Sequence, residues 1–118
     1  MQQKDIVKKI RGIVGEENVL TDEGSLHHYG VDWTKHYQPN PMAIVFPRTI
    51  AHVQAMVKLA NDAKIPLVPS GGRTGYSGGA VASHNEVVVS FSKMNKILDF
   101  NPIDRMVVCQ PGVINQEL

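Results

Sequence analysis

The chain has 118 residues, 42% of them apolar, with a formal net charge of +1. That is enough for one domain and too little for two of ordinary size, and such a domain buries roughly two-thirds of the surface its unfolded chain exposes. The near-neutral charge excludes a bulk electrostatic footprint for nucleic acid or an acidic membrane surface.

The longest apolar runs fall far short of a bilayer span, and the N-terminus does not read as a signal peptide. Cys109 stands alone, which rules out an internal disulfide and fits a reducing, cytoplasmic setting, with peripheral membrane association of a larger parent left open.

In chain order, "QQKDIVKKIRGIV" (residues 2–14) places Ile6, Val7, Ile10, Ile13 and Val14 on one helical face, with lysine and arginine opposite. Gly15 is a plausible stop, and Thr21 with Asp22 can cap a short helical turn through "EGSLHHYG". Residues 31–42, "VDWTKHYQPNPM", are polar and proline-interrupted and predict an irregular surface segment. Residues 1–42 thus form a helical extension to whatever follows.

From residue 43 the character changes. "AIVF" (43–46) predicts a strand that Pro47 stops, and Thr49 caps a helix over "IAHVQAMVKLANDAK" with Val53, Met56, Val57 and Ala60 at helical spacing. "IPLVP" (65–69) predicts a second strand, a parallel neighbour of the first. Strand, helix and strand within about 27 residues make a βαβ unit. "EVVVSF" (86–91) predicts a third strand, buried on both faces. "KILDF" and "RMVVCQ" flank the turn-forming "NPID" and predict a hairpin, with Cys109 a small inert core residue in its second strand. "PGVINQEL" opens a further helix whose pattern breaks off, so the chain is expected to be a fragment. The fold class is α+β: a βαβ unit with a small parallel sheet plus a partial antiparallel hairpin.

The chemistry concentrates in "PSGGRTGYSGG" (69–79), where five of eleven residues are glycine. It is not a Walker loop, which ends in Gly-Lys-Ser/Thr, and not a Rossmann fingerprint, whose last glycine opens a helix. What remains is a run of main-chain N–H groups without side-chain bulk, able to form a concave anion nest, with hydroxyls from Thr74 and Ser77 and a charge from Arg73. A structural loop is the alternative, although a plain linker would spread glycine and serine more widely. Lacking the lysine and acidic ligands of phosphoryl transfer, the loop fits a held diphosphate better than a hydrolysed one. The five histidines (27, 28, 36, 52, 84) show no metal-ligand spacing, and no metal site is expected. Trp33 and Tyr37 could stack on a ligand or pin their segment to the domain. Met56 and Met94 read as core fillers.

Taken together, "P-x-G-G-x-T-G-x-x-G-G", "S-x-M-N-K-I" and "Q-P-G-V", in that order over about residues 29–118, resemble the N-terminal half of an FAD-linked oxidase domain. This is the PCMH-type FAD-binding domain of the vanillyl-alcohol oxidase and p-cresol methylhydroxylase superfamily. Within it the chain looks most like the 2-hydroxy-acid branch, which holds D-lactate dehydrogenases, glycolate oxidase flavin subunits and D-2-hydroxyglutarate dehydrogenases. The resemblance implies that Pro69, Ser70, Gly71, Gly72, Arg73, Thr74 and Gly75 form one arm around the FAD pyrophosphate. Ser77, Gly78 and Gly79 form a second arm, and Pro111 with Gly112 a turn near the cofactor. Asp32 falls where this branch often carries an acidic residue.

Relatives that attach FAD covalently often have histidine where Arg73 stands, so dissociable FAD is implied here. The resemblance further implies a parent flavoenzyme that oxidises a small 2-hydroxy acid to the 2-oxo acid and passes electrons to an acceptor. Its catalytic residues and cap domain would lie beyond Leu118, leaving this segment inactive by itself and prone to self-association. A non-catalytic binding module, an aromatic-alcohol oxidase or a cell-wall precursor reductase are the alternatives.

Overall fold

The computed structural model describes residues 2–30, 39–73 and 79–117. Helix α1 (Gln3–Val14) ends on Gly15, whose φ of 93° is open to glycine and strained for other residues, and a short 3-10 turn (Glu16–Asn18) leads into β1 (Val19–Leu20). Asp22 caps α2 (Glu23–Tyr29) by accepting from the Ser25 N–H, a bond that lowers the carboxyl's pKa. Strand β2 (Ala43–Val45) is followed by α3 (Ile50–Ala63), where the Thr49 hydroxyl accepts from the His52 N–H. Then come β3 (Leu67–Ser70), β4 (Val87–Ser90), β5 (Ile97–Asn101) and β6 (Met106–Cys109).

Four strands form one sheet in the order β1-β2-β4-β3. β4 runs parallel to both neighbours, with Val87 opposite Ala43 on one side and Leu67 on the other, while β1 caps the far edge antiparallel to β2. The expected adjacency of the first two parallel strands is therefore corrected: β4 lies between them. The reason is chemical. All four residues of β4 are buried, whereas β3 carries Pro69, which has no N–H to give a second ladder and suits an edge.

Alternation across this sheet builds two apolar layers. On one face Ala43, Val45 and Val87 meet Ile6, Val7, Ile10 and Val14 of α1 and Met56 of α3. On the other, Ile44, Val68 and Val88 meet Phe46 and Ala82, with Leu26 and Tyr29 of α2 packed against them. Residues on both sides of position 42 share the first layer.

Three other expectations change. Val57 is half exposed, since α3 leans on the sheet through Met56 and Ala60. Pro41 and Met42 are buried instead of lying on the surface, because the Met42 N–H bonds the Glu86 carbonyl at the mouth of β4; residues 31–38 lie outside the described residues. The last predicted helix is only a 3-10 turn, Asn115–Glu117.

β5 and β6 form a separate antiparallel pair. Both of its faces are open: Ile97, Leu98, Phe100, Met106, Val107 and Val108 are exposed, and Ile103 at the tip is 91% exposed. Cys109 is likewise exposed, contrary to its expected burial. Asn101 shapes the tip, its side-chain oxygen accepting from the N–H groups of Ile103 and Asp104.

Ile44→Ala, in a fully buried position, is expected to cost about 2–5 kcal/mol. Ile103→Ser should stay within about 0.5 kcal/mol of the parent chain. Urea unfolding followed by circular dichroism checks the contrast.

Candidate functional site

The carboxyl ends of β2, β4 and β3 face the same way, and the segments that leave them converge on one edge of the sheet. In open α/β sheets this is the edge where ligands settle, because it collects loops with free main-chain donors. Ser70 ends β3 opposite Ser90 at the end of β4, and the Ser70 carbonyl accepts from the Phe91 N–H at 3.0 Å. The Ser70 side chain is fully buried, yet its hydroxyl has no hydrogen-bond partner among the described residues. An orphaned buried hydroxyl costs free energy unless a further group uses it.

The glycine loop leaves from this serine. Pro69, Gly71, Gly72 and Gly79 are exposed and Arg73 is half-buried. Thr74, Gly75, Ser77 and Gly78 lie outside the described residues, as do Asp32, Trp33 and Tyr37. Among the described residues, the turn and loop backbone hydrogen bonds include none donated by Gly71, Gly72 or Arg73. Those groups can be offered to an anion.

The second predicted segment lies beside the first. A β-carbon on Gly71 would sit 3.7 Å from the Pro111 carbonyl oxygen, and one on Gly72 would sit 3.7 Å from the Ile114 side chain. Pro111 and Gly112 are in turn pressed against the turn after β4: the Gly112 N–H bonds the Met94 carbonyl at 2.8 Å. A β-carbon on Gly112 would overlap the Phe91 carbonyl oxygen and lie 2.8 Å from that of Met94. No side chain fits there without moving backbone. Met94 is buried as expected of a core filler.

Arg73 departs from the role of a free loop charge. It adopts φ 59°, donates to the His28 carbonyl at 2.8 Å, and lies 4.8 Å from the centre of the Tyr29 ring. His28 and Tyr29 were not singled out as partners of the loop, and nothing local could have done so, since 45 residues separate His28 from Arg73. Ser90 and the carbonyls of Phe91 and Met94 were missed as well. Among the described residues, no group of three or more His, Cys, Asp and Glu side chains could hold a metal.

A family model described as an FAD binding domain matches residues 41–118. The chain belongs to this FAD-binding domain family. Its members' cofactor is FAD, and the buried hydroxyl of Ser70 with the bare backbone of Gly71 and Gly72 suits the diphosphate of that dinucleotide. The chain is 54% identical over its whole length to D-2-hydroxyglutarate dehydrogenase of Stutzerimonas stutzeri, covering 25% of that protein. It is 32% identical over its whole length to the mitochondrial D-2-hydroxyglutarate dehydrogenase of Arabidopsis thaliana, covering 21% of it. A p-cresol methylhydroxylase crystal structure with substrate bound superposes with a TM-score of 0.78 at 30% identity, over 93% of this chain and 22% of that one. The chain thus spans about a quarter of the length of the relatives it matches. The α+β architecture expected from the sequence is that of the PCMH-type FAD-binding domain.

Gly112→Ala is expected to destabilise the domain by about 1–3 kcal/mol, or more if the turn after β4 cannot shift. Denaturant midpoints of the two chains decide it.

Proposed function

We propose that this chain supplies the diphosphate-holding part of an FAD-dependent dehydrogenase that oxidises a small 2-hydroxy acid to the 2-oxo acid. The observation that carries the cofactor half is the fully buried Ser70 hydroxyl, without a partner among the described residues, at the root of a glycine loop on the carboxyl edge of a parallel sheet. The substrate half rests on the relatives, both named D-2-hydroxyglutarate dehydrogenase.

In this proposal Pro69, Ser70, Gly71, Gly72, Arg73, Thr74 and Gly75 form the first arm of the cradle, with Ser77, Gly78 and Gly79 the second. Pro111 and Gly112 buttress the first arm from below. The bound FAD would supply the two-electron sink for loss of the substrate's C2 hydride and hydroxyl proton, and an electron acceptor would then reoxidise it. This chain's residues hold and orient, and the catalytic side chains belong to the rest of the flavoprotein.

FAD is proposed to be dissociable, since Arg73 carries no nucleophile and its guanidinium is engaged at the His28 carbonyl. A cytoplasmic setting is proposed from the lone thiol, although one relative is named mitochondrial. No helix among the described residues is long and apolar enough to cross a membrane.

The full-length flavoprotein containing this segment should show flavin absorbance, oxidise D-2-hydroxyglutarate or D-lactate, and release its FAD on acid precipitation. Ser70→Ala should weaken FAD binding while leaving apo stability unchanged or raised, because it removes a buried polar group that has no partner among the described residues. A colourless protein that FAD cannot reconstitute overturns the proposal.

The hairpin β5–β6 adds a second expectation. Its apolar residues border an open groove of about 460 Å³ lined by Ile97, Phe100, Pro102, Arg105, Met106 and Val107. The 118-residue chain alone is proposed to self-associate through this pair of strands, whose outer edges and faces would be covered in a longer flavoprotein. Light scattering after size exclusion should show dimers or larger species, reduced by Phe100→Lys; a monodisperse monomer at high concentration argues against it.

A further inference from the structure

Four rings and cations stand in series between the glycine loop and the far side of the sheet edge. The Arg73 guanidinium lies over the Tyr29 ring at 4.8 Å. Tyr29 meets Phe46 edge to face, with centroids 5.1 Å apart. The Lys93 ammonium lies 4.9 Å from the Phe46 ring centre. Lys93 then donates to the Asn18 side-chain oxygen at 2.7 Å, where Arg48 also donates at 3.2 Å. Asn18 is itself buried and fixed, its amide bonded to the Val14 carbonyl at the end of α1. The loop is thereby tied through α2 to the ends of β2, β4 and α1.

We infer that Arg73 is a positioning residue of the cofactor loop: it docks the loop root on the last turn of α2 and leaves the main-chain donors to hold the diphosphate. This rests on the FAD proposal above. Three features of the structure support it. The φ of 59° lies in the left-handed region, which is uncommon for residues with a β-carbon. The His28 carbonyl belongs to the last turn of α2, where carbonyls lack helical partners and a cation is favoured. A planar guanidinium can donate in its plane to that carbonyl while its face lies on the Tyr29 ring, which an ammonium cannot do. A loop cation free to meet the diphosphate would need none of these.

The tether is tested first on the chain as it stands, without cofactor, by the rate of tryptic cleavage after residue 73 relative to cleavage after Lys64. Arg73→Lys keeps the charge and the trypsin site but loses the fork, and lies in the loop away from the core. It should speed relative cleavage about fivefold, as should Tyr29→Leu, whereas Tyr29→Phe should not. Equal relative rates in wild type, Arg73→Lys and Tyr29→Leu overturn the inference.

In the full-length flavoprotein, Arg73→Ala and Tyr29→Leu should each weaken FAD about fivefold, and the double variant should be no weaker than either, because the two side chains act as one unit. The salt dependence of FAD binding should match wild type in every variant. A shallower salt dependence in Arg73→Ala alone means that the guanidinium meets the diphosphate, and the inference falls. If wild type takes up no FAD, the FAD proposal fails by itself, while the cleavage ratios still decide the tether.

Discussion

The structure depends on one strand. β4 is buried along its whole length and pairs in parallel on both sides, so it fixes the direction of β2 and β3 and brings their carboxyl ends to a single edge. Parallel pairing demands crossover connections on the faces of the sheet, and α3 with α1 on one side and α2 on the other supply the cover. Each chain segment that leaves the edge inherits its place from this arrangement: Arg48 after β2, the glycine loop after β3, and the Phe91–Met94 turn after β4. The candidate site is a consequence of strand order before it is a consequence of any side chain.

Much of this was legible because local chemistry and global fold agree. Asp22 and Thr49 cap the helices they were expected to cap, the three valines of β4 are buried on both faces, and "NPID" turns a hairpin. Strand order was not legible from run lengths and chain proximity, which favour pairing β2 with β3. The signal that would have corrected it was Pro69, a residue a central strand does not tolerate. The hairpin misled in another way. Alternation in "RMVVC" is too weak to define a buried face, and neither face is covered, so Cys109 could be placed in a strand but not in a core.

The site divides along the same line. Glycine density pointed to the loop because bare backbone has a compositional signature. Gly112 belongs to a different class: it is demanded by the approach of two carbonyl oxygens from residues 91 and 94, a tertiary constraint with no local trace beyond the preceding proline. Ser70 reads in sequence as one more small loop residue, and only burial without a partner among the described residues separates it from its neighbours. The partners of Arg73 lie on a helix that precedes β2, so residue type alone assigned the guanidinium to the nearest expected anion.

A division of labour follows from these placements. An anion held by main-chain N–H groups needs those groups fixed before it arrives, because a flexible glycine loop would pay its ordering entropy at binding. Glycine supplies access and cannot supply rigidity. The rigidity enters at the ends of the loop: at Ser70 through the ladder with β4, at Gly71 and Gly72 through the Pro111–Ile114 segment beneath them, and at Arg73 through α2. The one charged side chain of the loop is directed to its support on α2, and Gly71 and Gly72 before it are exposed. That is the arrangement expected when preorganised dipoles, and not a mobile cation, bear the work of holding a charged group.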